Sequence, residues 1–218
     1  MGDRKKMRAD SPECLMWDVI VNEQNYTPKP GDRVLDLGAH HGFFSMYCAA
    51  RGAMVRAYEP DPDNFIQLEQ KIAIAKNMNA PPFTAIQAAV WSEAGEKLLW
   101  RDPANSGANS MLRSLSDFSI MVKTVSLSEA LCGNRWDCVK VDVEGAEAQI
   151  FLTAKPESFR QIAYLTMELH NDVLTREQNR SLVLRMQKEF PKVTEVKQYF
   201  EGLPTESACK LFCWGHYE

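Results

Sequence analysis

Two acidic residues at the ends of predicted strands, Asp36 and Glu59, are the side chains best placed by their spacing to bind a ligand. Residues 33–37 (RVLDL) form a short apolar strand, and the glycine turn 38–42 (GAHHG) follows before a predicted helix at 43–51. The glycines let the backbone bend sharply and let a ligand lie close against it. Ligands of open parallel sheets bind at the carboxyl ends of the strands, so the turn predicts a binding site.

The spacing of these residues favours a cofactor without phosphates. A dinucleotide site has the pattern G-x-G-x-x-G and holds a pyrophosphate at a helix N-terminus, whereas Gly38 and Gly42 are farther apart. The carboxylate of Asp36 would repel a pyrophosphate. It would suit an ammonium group, such as that of a methionine moiety, directly or through water. Glu59, at the end of the strand 54–58, can accept two hydrogen bonds from a ribose diol.

An alternation of strands and helices positions these side chains. Predicted strands lie at 33–37, 54–58, 83–90, 96–101, 120–125, 137–142, 162–168, 193–199 and 208–214, and predicted helices at 43–51, 63–77, 126–132, 144–154 and 175–189. Such alternation predicts an α/β fold with a mostly parallel sheet covered by helices on both faces. The last two strands, with no helix between them, predict an antiparallel pair at one edge. Residues 1–30 are interpreted as an N-terminal extension or lid, and 31–218 as one domain.

Charge and cysteine usage restrict the function classes. The 218 residues carry a formal net charge of −4, so no general attraction to nucleic acid is expected. The six cysteines form no C-x-x-C pair and no zinc-like cluster, which indicates free thiols in a reducing compartment. No signal peptide and no apolar stretch of membrane-spanning length is visible. We therefore expect a cytoplasmic protein that does not bind membranes; its oligomeric state is left open.

Four segments together resemble the FkbM-type family of S-adenosylmethionine-dependent methyltransferases: VLDLGAHHGFFS, AYEPDPDNF, AAVWSEAGE and DCVKVDVEGAEAQI. The resemblance covers roughly residues 30–170, and its most distinctive part is the stretch 140–147 (KVDVEGAE). It implies a Rossmann-like class I methyltransferase fold with seven strands, S-adenosylmethionine as cofactor, and O-methylation of sugars or natural products.

The resemblance also implies roles for individual residues around the cofactor. Asp36, Gly38 and Gly42 would hold its methionine part, Glu59 its ribose, and Asp61 with the main chain near Ala88 and Ala89 would border the adenine. The full predicted cofactor site is Asp36, Gly38, Ala39, His40, Gly42, Glu59, Asp61, Ala88, Ala89 and Asp142. His40 departs from the family, which usually has Asn here, and its charge is expected to change near about pH 6–7.

Methyl transfer to an alcohol requires loss of the hydroxyl proton, so a base or a metal ion near the acceptor helps. Asp142 ends the predicted strand 137–142, Glu144 begins the next helix, and Glu168 and His170 lie at the end of the predicted strand 162–168. His170 is the first candidate for the general base, with Asp142 or Glu144 positioning it or the acceptor. The alternatives are that Asp142 caps the helix and that His170 is a solvent-facing turn residue.

Further residues are predicted to contact the acceptor or a metal. The substrate-binding candidates are Asn109, Ser110, Glu144 and Glu168; the polar loop 106–110 either covers the acceptor pocket or is a plain surface loop. Asp142, Glu168 and His170 could hold Mg, Mn or Fe, but the spacing does not require a metal and none is expected. A nucleic-acid methyltransferase of the same fold and a non-catalytic cofactor-binding module remain alternatives, and the glycine spacing disfavours an oxidoreductase.

Overall fold

A computed structural model describes residues 24–112, 117–198 and 208–215. Its strands are β1 (Arg33–Leu37), β2 (Met54–Tyr58), β3 (Phe83–Ile86), β4 (Ala89–Trp91), β5 (Gly95–Trp100), β6 (Ser119–Ser126), β7 (Cys138–Val141), β8 (Tyr164–His170), β9 (Lys192–Gln198) and β10 (Ala208–Trp214). Its α-helices are α1 (Phe43–Ala50), α2 (Pro62–Asn77), α3 (Leu127–Leu131), α4 (Glu147–Phe151), α5 (Pro156–Phe159) and α6 (Arg176–Glu189).

The main sheet has seven strands in the order β3-β2-β1-β7-β8-β10-β9. The strands from β3 to β8 run parallel, and β10 is antiparallel to both of its neighbours, β8 and β9. The predicted fold, a mostly parallel seven-stranded sheet with an antiparallel pair at one edge, is confirmed. Within the described residues, no helix is long and apolar enough to cross a bilayer.

The central strands form because their residues are apolar on both faces. Val34, Leu35 and Leu37 of β1 are fully buried, as expected for a parallel strand covered by helices on each side. Two hydrophobic clusters fill the two faces of the sheet. The polar residue in β1, Asp36, is also fully buried, and it must therefore be paired.

The helices begin where the sequence supplies side-chain caps. Asp61 accepts hydrogen bonds from the backbone N–H groups of Asp63 and Asn64 at the start of α2, where Pro62 is the first helical residue. Thr175 and Gln178 form a capping box at the start of α6. Ser126 is the N-cap of α3. These caps satisfy N–H groups that have no partner within the helix.

The predicted third strand, 83–90, is wrong as a single element. β3 ends at Ile86, whose carbonyl accepts a hydrogen bond from the N–H of Ala88, and this tight turn redirects the chain. β4 then pairs with β6 in a separate three-stranded sheet, β4-β6-β5. The turn exposes the Ala88–Ala89 backbone at the carboxyl edge of the main sheet.

The predicted helix 144–154 is also corrected. Glu144 and Gly145 both have left-handed backbones, with φ angles of 51° and 101°, and two such residues cannot belong to a right-handed helix. α4 therefore begins at Glu147 and is short, with α5 following it. The strand predicted at 162–168 is β8, which ends at His170.

The described part of the N-terminal segment packs on the sheet. Tyr26 stacks on Tyr164 of β8 with ring centroids 5.5 Å apart, and its hydroxyl donates to Asp32 at 2.6 Å. Residues 1–23, to which the predicted extension or lid mainly refers, lie outside the described residues.

Gly38 is the position where the fold tolerates a side chain least. Its φ is 77°, and an added Cβ would overlap the backbone carbonyl of Asp142. Gly133 has a similar φ of 64° but open space around it. Gly38→Ala should therefore lower the free energy of unfolding by about 3 kcal/mol or more, and Gly133→Ala by only about 1–2 kcal/mol, the cost of the left-handed backbone. Urea unfolding measures both; equal losses would mean that the overlap at Gly38 relaxes without cost.

Candidate active site

A cavity of about 260 Å³ opens at the carboxyl ends of β1, β2 and β7. Gly38 and His40 of the glycine turn, Glu59 after β2 and Asp142 after β7 line it together. The volume is near the lower end of small-molecule sites, roughly 300–1,000 Å³. The ends of three neighbouring strands therefore meet at one cavity.

Glu59 lines the cavity with its carboxylate held by backbone donors. One oxygen accepts the N–H of His40 at 2.8 Å, and the other accepts the N–H of Asp61 at 3.0 Å. Burial raises the pKa of Glu59 to about 7, and these hydrogen bonds oppose the rise. The side chain is therefore divided between its charged and neutral forms near neutral pH.

Asp36 does not line the cavity, contrary to the expected contact with a ligand. Its carboxylate is fully buried below the glycine turn, where Oδ2 accepts the Ser45 hydroxyl at 2.7 Å and Oδ1 lies 3.3 Å from Nζ of Lys140. Any effect of Asp36 on a ligand must therefore pass through the residues that it holds.

Lys140, which sequence reasoning did not select, connects these strand ends. Its buried ammonium donates to the Gly38 carbonyl at 2.7 Å and lies between Asp36 and Asp142, 3.4 Å from Oδ2 of the latter. Burial alone would lower the pKa of Lys140, but the two carboxylates outweigh it and raise that pKa above its ordinary value. The available signal was a lysine inside the apolar strand CVKV, which predicts a paired cation.

His40 stacks on His41 with centroids 3.7 Å apart, and its Nε2 is 2.9 Å from the Ser106 hydroxyl. Burial, with smaller contributions from His41 and Lys140, lowers the pKa of His40 to about 4. The expectation that its charge changes near pH 6–7 is therefore corrected: the ring is neutral at physiological pH.

Three other predicted cofactor residues support the cavity and do not line it. Asp61 is fully buried, caps α2, and pairs with Arg101 Nε at 2.7 Å and Asn109 Nδ2 at 3.0 Å. The N–H of Ala39 donates to the carbonyl of Tyr58, joining β1 to β2. Gly42 packs against the side chain of Leu68. Ala88 and Ala89, by contrast, line the cavity.

The polar loop 102–110 forms one wall of the cavity. Ser106 and Asn109 line it, and the Ser106 carbonyl accepts a hydrogen bond from Asn64 of α2 at 3.3 Å. The predicted substrate-binding residue Ser110 is buried and does not line the cavity. Its hydroxyl donates to the carbonyl of Glu144 at 2.8 Å, so it holds the turn after β7.

Asp142, Glu144 and His170 come together at the opposite end of the cavity. Nε2 of His170 lies 3.7 Å from Oδ1 of Asp142 and 3.4 Å from Oε2 of Glu144. Its Nδ1 lies 2.8 Å from Glu147, a fully buried carboxylate that sequence reasoning missed. His170 is itself buried, so it is not a solvent-facing turn residue.

The charge of His170 bears on its predicted role as a base. Burial lowers the pKa of this imidazole, but hydrogen bonding and charge from Glu144 and Glu147 outweigh burial and raise the pKa to about 12. With a carboxylate beside each ring nitrogen and no metal ion present, the imidazole is protonated on both nitrogens and cannot act as a base. Burial raises the pKa of Glu144, which makes that side chain the better proton acceptor of the two.

Glu168 stands apart from this group. Its Oε2 lies 3.4 Å from Nζ of Lys210 on β10, and it does not line the cavity. The predicted metal set of Asp142, Glu168 and His170 is therefore not the one that the structure gathers; Glu144 takes the place of Glu168.

Replacing Lys140 tests its part in joining the strand ends. Lys140→Met should lower the free energy of unfolding by about 3–5 kcal/mol, because Asp36 and Asp142 would be left uncompensated. Asp36→Asn in the same chain should restore part of that loss. A thermodynamic cycle from urea unfolding measures the coupling, and strictly additive effects of the two substitutions would contradict the pairing.

Comparison with known proteins places the chain in a family. The model of the methyltransferase FkbM domain matches residues 36–203, and no curated protein matches the chain. Among solved structures, the METTL16 MTase domain is 11% identical with a TM-score of 0.53, covering 93% of this chain and 67% of that one. An rRNA methylase from Streptococcus thermophilus is 8% identical with a TM-score of 0.50, covering 96% and 99%. These likenesses show the shared fold, and the family match shows that the chain belongs to the FkbM methyltransferase domain family.

Proposed function

We propose that this protein transfers the methyl group of S-adenosylmethionine to a hydroxyl oxygen of a small molecule. The observation that carries the proposal is that Glu59 and Asp142, at the ends of two different strands, line one cavity on either side of Gly38. In this arrangement Glu59 can bind the sugar of a nucleoside. The other end of the nucleoside then lies against the turn after β7.

The cavity suits a cofactor without phosphates. Ala88, Val90 and Leu99 provide an apolar wall for a purine, and Glu59 provides two oxygens for the ribose hydroxyls. Among the described residues, no lysine or arginine lines the cavity, and His40 is neutral. A pyrophosphate would find no cation there, which argues against a dinucleotide.

The side chains at the far end of the cavity suit proton removal from an alcohol. When bound, S-adenosylmethionine supplies an electrophilic methyl group on a sulfonium. The hydroxyl oxygen forms the new C–O bond as the C–S bond breaks, and the hydroxyl proton must leave. Glu144 lines the cavity and has a raised pKa, so we assign it the proton, with Asp142 and His170 positioning it. This assignment replaces His170 as the expected base.

Charge supports a small acceptor over a nucleic acid. Asp142 and Glu144 line the cavity, and Glu168 lies on the same edge of the sheet. Carboxylates there repel a phosphodiester backbone, which needs lysine or arginine for binding. An acceptor with several neutral hydroxyls, such as a sugar or a natural product, can donate hydrogen bonds to the same carboxylates.

Glu59→Gln should weaken the affinity for S-adenosylhomocysteine at least about tenfold, because the amide loses charge-assisted hydrogen bonds to the ribose. Glu69→Gln, an exposed change on the adjoining helix α2, is the matched control and should have no effect. Titration calorimetry measures both. If S-adenosylhomocysteine produced no heat with the wild-type protein while NAD bound, the proposed cofactor would be wrong.

The affinity should also depend on pH through Glu59. Ribose hydroxyls donate to the ionised carboxylate, so binding favours the deprotonated form. Because the pKa of the free protein is about 7, affinity should be constant above about pH 8 and fall by up to about tenfold per unit below pH 7. The neighbouring His40 stays neutral over this range and adds no slope. Calorimetry on Glu59→Gln should show a flat profile from pH 5.5 to 8; the same slope in both proteins would assign the effect to another group.

Activity tests the acceptor class directly. The purified protein should label small polyhydroxylated compounds from methyl-labelled S-adenosylmethionine and leave total RNA unlabelled, with scintillation counting of each separated product. Glu144→Gln should lower turnover at least about a hundredfold and leave the affinity for S-adenosylhomocysteine unchanged. Label in RNA would favour the nucleic-acid methyltransferase. Binding of the cofactor with no labelled product across a broad panel of hydroxyl compounds would favour a non-catalytic module.

A further inference from the structure

Asp142 and Glu144, which line the cavity, and His170 behind them each offer one ligand atom, and these three atoms lie within 4.8 Å of one another. We propose that the three side chains form a binding site for a divalent first-row metal ion. Two carboxylates and one imidazole favour Mn²⁺ or Fe²⁺ over Mg²⁺ and Ca²⁺, which prefer oxygen ligands alone.

The two separations from His170 leave room for an ion between the side chains. Nε2 of His170 lies 3.4 Å from Glu144 and 3.7 Å from Asp142, longer than the about 2.7–2.9 Å of a charged hydrogen bond. An ion at about 2.1 Å from each ligand places those ligands roughly 3–4.2 Å apart. Since His170 is 8% exposed, its Nε2 has little access to bulk water as an alternative partner.

Each proposed ligand is oriented by a residue behind it. Glu147 lies 2.8 Å from Nδ1 of His170, and this contact directs Nε2 toward Asp142 and Glu144. A carboxylate behind a histidine ligand is the usual arrangement at metal sites, where it fixes the ring. The cluster therefore differs from a simple group of acids, because it contains the buried imidazole of His170, whose orientation is fixed by Glu147.

The two carboxylate ligands are aligned as well. Lys140 lies beside Oδ2 of Asp142, which leaves Oδ1 to face His170. The hydroxyl of Ser110 holds the carbonyl of Glu144 at 2.8 Å, which fixes the left-handed turn that aims this side chain into the cavity.

The local charge also favours a cation. The carboxylates of Asp142, Glu144, Glu147 and Glu168 outnumber the cations, which are Lys140, Lys210 and the protonated His170, in the ion pairs on this edge of the sheet. A bound ion would displace the Nε2 proton of His170 to solvent, so one positive charge would be replaced by two. A divalent cation in the cluster would offset the excess. That the ion faces the methyl acceptor rests on the proposed function, whereas its binding does not. The two roles of Glu144 use different atoms: Oε2 faces the cluster, and Oε1 is left to accept the hydroxyl proton.

Binding of Mn²⁺ to the metal-free full chain tests the site. Electron paramagnetic resonance should show one bound Mn²⁺ per chain, and thermal unfolding should shift upward when Mn²⁺ is added after removal of EDTA. Glu144→Gln should weaken Mn²⁺ affinity at least about tenfold. Glu168→Gln is the matched control: it removes a carboxylate from the same edge of the sheet but outside the cluster, and Mn²⁺ affinity should not change.

The outcomes separate this proposal from the proposed function. No Mn²⁺ binding by the wild-type chain, or equal affinity in Glu144→Gln and wild type, would overturn the metal site. Circular dichroism of Glu144→Gln in EDTA checks that it is folded, and Asp142→Asn gives a second variant with the same expected loss. The affinity for S-adenosylhomocysteine is measured in parallel in EDTA. If S-adenosylhomocysteine binds but Mn²⁺ does not, the metal site alone is wrong. If Mn²⁺ binds but S-adenosylhomocysteine does not, the proposed cofactor alone is wrong.

Discussion

The buried ammonium of Lys140 is the interaction on which the site depends. It lies between Asp36 of β1 and Asp142 after β7 and donates to the carbonyl of Gly38. A charge in the protein interior is tolerated only when it is paired and hydrogen-bonded. These contacts therefore bind the glycine turn to the turn after β7, and they fix which oxygen of Asp142 faces the cavity.

Gly38 also allows the glycine turn and the turn after β7 to lie close together. Because it has no side chain, the β1 turn can approach the carbonyl of Asp142 closely. Close approach places Glu59, the glycine turn and Asp142 around one small cavity. The two ends of the cavity are thus held in a fixed relation by Lys140, Asp36, Asp142 and Gly38.

Much of this arrangement could be predicted from the sequence. Asp36, Glu59 and Asp142 each lie at the end of an apolar strand, so the parallel pattern alone brings them to the same edge of the sheet. The family motif, KVDVEGAE, identified the remaining strand end and its acids. The antiparallel pairing of β9 and β10 followed from the absence of a helix between them.

The incorrect sequence predictions have physical causes that cannot be seen in local sequence patterns. The residues 83–90 are apolar throughout, and nothing in that run marks the turn at Ile86–Ala88 that sends β4 into a second sheet. The left-handed backbone of Glu144 depends on Ser110, which is distant in sequence. The protonation of His170 and the buried position of Asp36 depend on Glu147 and Lys140, whose partners are known only once the strands are assembled.

The loop 102–110, which forms one wall of the cavity, bears on how fast a ligand can leave. Ser106 is held by His40 through its hydroxyl and by Asn64 through its carbonyl, while Asn109 is tied to the buried Asp61. If the loop has to swing aside for a bound nucleoside to leave, these three bonds break first, and each contributes about 0.5–1.5 kcal/mol to keeping the loop shut. The residence time of the ligand then depends on these three hydrogen bonds as well as on its own contacts with the cavity. Substitutions within 102–110 can therefore change turnover without altering the strand ends that bind the ligand.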